Sequence, residues 1–293
     1  MSGSVQVEPE AGSRNSSKRK IGLIQHSILI VWSAITIFIF VWLVLSSFKT
    51  NVEIFGSPWA LPAKPFAAFV ANYGKAWNLS RMGAYFGNSV IVTSLSVLLV
   101  IGVSAPAAYA LARIRFFGNT FLSFYFIAGL GLPLQLILIP LFVLLTRLGL
   151  ANSLQGLVLT YVAVSIPFTI LLLTGFFRTL PTELEDAASI DGCSEFGIFS
   201  RIMLPLSAPG LLTAAILNFV FIWNEFLLAL LIIKKDALRT MPLGLYGLRY
   251  SMQYTADWAA LFAGVVIVIL PNYIFYLLFS DRIASGITLG SDK

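Results

Sequence analysis

Long apolar runs separated by short polar stretches set the layout of the chain. They cover residues 21–47, 85–112, 120–145, 153–177, 208–233 and 258–279, and each is long enough to cross a hydrocarbon core as a helix, which takes ~20 residues. The pattern predicts an all-α, polytopic membrane protein with six transmembrane helices in one unit over residues 21–284. Pro106, Pro133, Pro140, Pro167 and Pro271 fall inside these runs. Neighbouring helices in a membrane can re-satisfy the backbone groups that proline frees, so kinks are expected there and not helix ends.

Composition sharpens this layout. Of 293 residues, 58% are hydrophobic and 11% charged, against about 45–50% and about 25% in ordinary soluble domains; a soluble enzyme is excluded. The first run is too long for a signal-peptide core, and no small-residue cleavage site follows it, so it stays attached as the first span. Residues 1–20 are polar, end in Lys18-Arg19-Lys20 and read as a disordered basic cytoplasmic tail. Residues 285–293 form a second cytoplasmic tail.

The net charge of +6 would suggest nucleic acid in a soluble chain, but here the basic residues flank apolar runs, so no nucleic-acid partner is expected. Lys and Arg are nearly balanced between the two sides. Lys18-Arg19-Lys20 abuts the first helix, and Arg113 and Arg115 crowd a very short loop, which favours both termini in the cytoplasm. Cys193 is the single cysteine and His26 the single histidine; neither has partners at metal-ligand spacing, so no metal site is expected.

The loop over 178–205 concentrates acids: Glu183, Glu185, Asp186, Asp191 and Glu195. Thr182 and Glu185 have capping-box spacing behind Pro181, which predicts a short helix over 183–190. It should stop at Asp191-Gly192, and Ser194 should cap a second short helix that Pro205 ends. Ala187, Ala188 and Gly192 leave part of this knob free of bulk, so another protein could approach its backbone.

Here the residues carry a resemblance. Asp186-Ala187-Ala188, Gly192 four residues on, and Ile202-Met203-Leu204-Pro205 resemble the EAA loop of membrane subunits of binding-protein-dependent ABC importers. The stretch from Leu180 to Gly192 is similar to the carbohydrate branch, in particular to the smaller maltose-transporter permease. Asp186 stands where the family usually has Glu. Tyr85-Phe86-Gly87-Asn88-Ser89, Ala107 to Arg113 and Trp223-Asn224-Glu225-Phe226-Leu227 also resemble family landmarks.

The resemblance implies a type I ABC importer transmembrane fold in a bacterial or archaeal plasma membrane. It implies that the loop, with Glu185, Asp186, Ala187, Ala188, Asp191, Gly192, Ile202, Leu204 and Pro205, couples to a separate ATPase present in two copies. A second homologous permease and an external substrate-binding protein complete the expected assembly, with a sugar or sugar derivative as cargo. ATP is expected on the partner, and no cofactor on this chain. In agreement, its sole Gly-Lys pair, Gly74-Lys75, precedes Ala76 and is not a phosphate-binding loop.

Glu225 is the one acid predicted inside a span, with Asn224 beside it and Asn218 about two turns earlier; an ionisable residue at that depth points to the pathway or a subunit contact. Ser104, Ala108 and Ala112 make a small-residue face for helix packing. Paired carboxylates, ligand clusters and nucleophile–base sets are absent from any believable site, so catalysis is not expected. The alternatives are an ABC permease for a non-sugar solute and an ion-coupled secondary transporter, which would want ionisable residues in several spans.

Overall fold

The computed structural model describes residues 11–288, and among these every regular element is helical. Four helices are long and apolar enough to cross a membrane singly: α1 (Ala11–Ser47), α4 (Met82–Arg113), α7 (Leu154–Thr179) and α14 (Trp258–Thr288). Two bent helix pairs, Asn119–Leu130 with Leu134–Arg147 and Glu195–Leu206 with Ala208–Asn224, bring the count to the six expected when each pair is taken as one span.

Two breaks within the apolar runs are corrections to the sequence reading. The run over 120–145 is two helices, α5 (Asn119–Leu130) and α6 (Leu134–Arg147), meeting at 101°. Gly131 and Leu132 form the break, and Pro133, which has no amide hydrogen to continue the ladder, sits at the head of α6. The run over 208–233 is α11 (Ala208–Asn224) and α12 (Leu227–Ile232), interrupted at Glu225-Phe226. Pro106, Pro140, Pro167 and Pro271 lie within continuous helices. Helix α1 begins at Ala11, so the second half of the expected disordered tail is helical; residues 1–10 and 289–293 lie outside the described residues.

The core is built on α4 packed against α7. Ser104 and Ala108 are buried at that seam, and the Thr174 hydroxyl donates to the Ala108 carbonyl at 3.4 Å; the small-residue face brings two backbones together as expected. One apolar cluster joins Val92 and Val100 of α4 to Leu157 and Tyr161 of α7 and to Leu228 and Ile232 of α12. A second joins Ala105, Ala108 and Tyr109 to Ile170, Leu173 and Phe177 near the end that carries residues 178–205. Helix α1 packs on α14 through its second half, where Phe40 stacks on Tyr273 at 5.2 Å and Trp42 meets Phe262 edge-on at 5.5 Å, while its apolar side chains from Ile28 to Ile39 are exposed.

The opposite end is capped by polar tethers. The loop after α1 folds as α2 (Asn51–Gly56), α3 (Pro65–Gly74) and a π-helical turn over Lys75–Leu79. Thr50 and Glu53 form a full capping box on α2, a Thr-x-x-Glu signal that the sequence carried and that was read only at Thr182. The hydrogen bonds of the capping box, led by the Thr50 amide, hold the Glu53 carboxyl below its ordinary pKa. Asn72 donates to the carbonyls of Ser47 and Lys49 at 2.9 and 2.8 Å. Asp257, just before α14, accepts from Lys75 at 2.9 Å and from Asn51 at 3.1 Å. Burial pushes the Asp257 carboxyl up, but Lys75, the Ala260 amide and Asn51 together outweigh it and hold its pKa below the ordinary value. Between α12 and α13 (Met241–Thr255), Asp236 receives Arg81, Arg239 and the Tyr85 hydroxyl at 3.1, 3.1 and 2.8 Å.

Candidate coupling segment and intramembrane polar groups

The segment after α7 folds as α8 (Glu183–Ile190), α9 (Glu195–Ile198), a π-helical turn over Phe199–Met203, and α10 (Leu204–Leu206). Helix α8 has the predicted bounds, with Glu183, Glu185 and Asp186 in its first turn, where carboxylates suit the positive helix end. Its start differs from expectation. Thr182 has helical backbone angles and its side chain makes no cap; its carbonyl instead accepts the amides of Glu185 and Asp186 at 3.0 and 3.1 Å. Glu185 cannot reach back to complete a capping box because it turns inward toward Arg113, 3.8 Å from the guanidinium Nε.

The other end closes as expected. Gly192 has φ +79, the Gly192 amide donates to the Ser189 carbonyl at 3.1 Å and the Cys193 amide to the Ala188 carbonyl at 3.0 Å. This is a Schellman closure, which favours glycine at the left-handed position. The Ser194 hydroxyl accepts from the Gly197 amide at 3.2 Å and so caps α9. The chain then turns by 71° into α11 at Ser207, two residues past Pro205. Pro205 lies within α10 and does not end the segment.

The two faces of α8 have different roles. Ala188 is buried among Phe177, Ile198 and Met203, so its small side chain lets α8 sit on the chain's own spans and is not left open as expected. Ile202 and Leu204 pack partly against the same cluster. Asp186, Ala187, Asp191, Gly192 and Pro205 are exposed. Beside them stand apolar side chains that the sequence reading missed: Ile190 at 86% exposure, Phe196 at 77%, and Leu184. Bulky apolar groups on a capped acidic helix were the available signal, since nothing local asks for them.

The intramembrane polar groups do not form one site. Glu225 is not inside a helix but in the break before α12. It is buried and accepts the Tyr161 hydroxyl at 2.8 Å and the Leu228 and Ala229 amides at 2.8 and 3.2 Å. Through these bonds it caps α12 and ties it to α7. Asn218 is buried too, donating to the Thr169 hydroxyl at 2.9 Å and to the Ala214 carbonyl at 2.8 Å. Asn224 alone is exposed, paired with Asn272 of α14 through reciprocal amide bonds of 3.2 and 2.8 Å. Their chain neighbours Trp223 and Pro271 line an apolar hollow of about 680 Å³, together with Tyr73, Trp77, Phe86 and Phe275. Among the described residues no cluster of His, Cys, Asp or Glu could hold a metal ion.

Residues 102–283, which hold α8 to α10 and both bent spans, match the family described as "Binding-protein-dependent transport system inner membrane component". The chain belongs to that family. It is 39% identical over 276 residues to the diacetylchitobiose uptake system permease protein of Streptomyces coelicolor, covering 94% of this chain and 90% of that one. It is 35% identical over 283 residues to the trehalose/maltose transport system permease protein of Thermococcus litoralis, covering 96% and 99%. Its fold matches a chain from the crystal structure of a bacterial ABC transporter involved in import of the acidic polysaccharide alginate, with a TM-score of 0.79 at 19% identity over 94% of this chain and 99% of that one. The permease thus has the type I importer transmembrane fold.

Proposed function

We propose that this permease forms half of the translocation pathway for a sugar or sugar derivative, beside a second homologous permease. Two copies of an ATPase would drive it from the cytoplasm, and a substrate-binding protein would deliver cargo outside. The observation that carries the coupling role is the outer face of α8 and α9: Leu184, Ala187, Ile190 and Phe196 exposed among Asp186 and Asp191 on a segment closed at both ends. A rigid knob with an apolar centre and a charged rim is what a groove on a soluble subunit can hold. Ala188, Glu185, Ile202 and Leu204 contribute from beneath by seating that knob on the spans.

The sugar reading is supported by relatives named for diacetylchitobiose and for trehalose and maltose. The exposed Asn224–Asn272 amide pair is the pathway contact in this reading, because amides and aromatic faces are the groups that bind hydroxyl-rich rings. Asn218 and Glu225 serve the packing of the spans. In this orientation both termini and α8 to α10 face the cytoplasm, in a bacterial or archaeal plasma membrane.

The test is purification of the permease with its ATPase. Ile190→Glu and Phe196→Glu should each release the ATPase while leaving the permease folded, and retention of the ATPase by both variants would overturn the coupling role. For the cargo, uptake of oligosaccharides by the reconstituted assembly should be lost in a joint Asn224→Ala and Asn272→Ala variant; uptake indifferent to that change would remove the amide pair from the pathway.

A further inference from the structure

We propose that Arg113 is the positioning residue that makes α8 move with α4. The inference rests on the coupling reading of α8 and names the part of the spans to which the segment is tied. Arg113 is the last residue of α4 and its side chain is only 9% exposed. Its Nη2 donates to the carbonyl of Leu180, and its Nε faces the Glu185 carboxylate at 3.8 Å, with the Glu185 side chain 17% exposed. One guanidinium therefore holds the chain on both sides of the Pro181 corner, where α7 ends and α8 begins. A planar fork with several fixed donors can do this; a single ammonium cannot serve both partners in the same way.

The surroundings make this link directional. Ala188 seats α8 by apolar packing, which resists separation but fixes direction weakly. Arg113, by contrast, donates a directed hydrogen bond to the Leu180 carbonyl and pairs with the Glu185 carboxylate across 3.8 Å. One turn earlier on α4, the Tyr109 hydroxyl faces the same Glu185 carboxylate, and its ring packs at 5.6 Å on Phe177 and at 5.1 Å on Phe199. Asn119 closes the end of α4 by donating to the carbonyls of Leu111 and Ile114 at 3.2 and 3.0 Å, so Arg113 stands on a braced helix end. Arg113 Nε and Glu185 Oε1 are both buried without a hydrogen bond. Closing their gap by about 1 Å would give a charge-assisted bond, an adjustment within side-chain reach that leaves α8 and α4 in the same relative position.

The test uses the whole assembly, reconstituted with ATPase and binding protein, and compares wild type with Arg113→Ala, Arg113→Lys and Glu185→Gln. The readouts are ATPase co-purification, substrate moved per ATP hydrolysed, and the distance between spin labels at positions 116 and 189 after Cys193→Ser. The ATPase should stay bound in all variants. Substrate moved per ATP should fall about tenfold in Arg113→Ala and in the same direction in Glu185→Gln. Arg113→Lys should restore only part of the loss. The label distance should stay constant between nucleotide states in wild type and vary in Arg113→Ala. If Arg113→Ala does not accumulate, Arg113→Lys and Glu185→Gln carry the test. A ratio within about twofold of wild type in Glu185→Gln and in whichever Arg113 variants accumulate, with the ATPase bound, overturns the role of Arg113. Failure of the coupling reading would show separately, as an Ile190→Glu assembly that still holds its ATPase.

Discussion

The assignment of Glu225 as an internal helix cap can be tested against the pathway role that its depth in the sequence suggested. Three donors converge on its carboxylate: the Tyr161 hydroxyl, the Leu228 amide and the Ala229 amide. Glu225→Ala leaves all three facing a buried gap, and each buried polar group left unpaired costs about 1–3 kcal/mol. The expected loss is therefore about 3 kcal/mol or more, or a fall in the unfolding midpoint of about 6–12 °C for a chain of this size. Tyr161→Phe leaves one buried Glu225 oxygen without its hydroxyl donor, worth about 1–3 kcal/mol. Glu225→Gln keeps one oxygen of the same reach and should fall between wild type and Glu225→Ala. Unfolding of the detergent-purified permease, followed by tryptophan fluorescence, measures each loss, and the Tyr161→Phe/Glu225→Gln double variant should be less than additive because the two residues touch. The cap would be refuted by a Glu225→Ala protein that melts with wild type. A Glu225→Gln protein of wild-type stability that no longer transports would return the residue to the pathway.

Four further outcomes are expected. Gly192→Ala meets no neighbour but must hold φ +79, so it should lower stability by about 1–2 kcal/mol and weaken ATPase retention in a pull-down. Gly244→Ala would place a methyl group 2.1 Å from the Tyr85 ring, whose hydroxyl is tied to Asp236; overpacking of about 1–3 kcal/mol should appear as a lower melting point. Asp257 has a depressed pKa, so its stabilisation is complete above the pKa of the unfolded chain and fades as pH falls through the lower folded value. Melts taken from pH 7 down through the carboxylate range should show a drop that is smaller in Asp257→Asn. Cys193, exposed on the segment, should react with an impermeant thiol reagent only from the cytoplasmic side, and Ser251→Cys in a Cys193→Ser background only from outside.

Local signals in the sequence were decisive wherever a side chain acts on its own neighbours. Helix α8 has the predicted ends because acids lead it and Gly192 closes it, and Ser194 caps α9 as its spacing implied. The spans were legible as apolar runs, but the bends within them were not. Hydropathy averages over a window and is blind to direction, so Leu132 and Phe226 look the same in a straight helix and at a break. The clue in the second case was Glu225 itself: a lone acid in an apolar run can be a helix cap as well as a pathway group, and the choice depends on Tyr161, 64 residues earlier. The Thr182 capping box failed for the same reason, because Arg113 competes for Glu185. Which side of α8 faces the partner also depends on tertiary contacts, since Ala187 and Ala188 are equivalent until one of them meets Phe177.

The break between α5 and α6 sets a condition on what surrounds this chain. At 12 and 14 residues these half-helices are about 18 and 21 Å long, so neither alone covers the hydrocarbon layer of about 30 Å. Each carries terminal carbonyls or amides that its own ladder does not use. Turns recover the Ala128, Gly129 and Pro133 carbonyls, while Leu130, Leu132 and Leu136 around the corner are exposed. Lipid tails offer no hydrogen bonds, and bare backbone at that depth is stable only against protein or water. A corner inside that layer has to face another polypeptide or an aqueous channel, and a single copy of this chain dissolved in lipid would then be a molecule with part of its solvation shell missing.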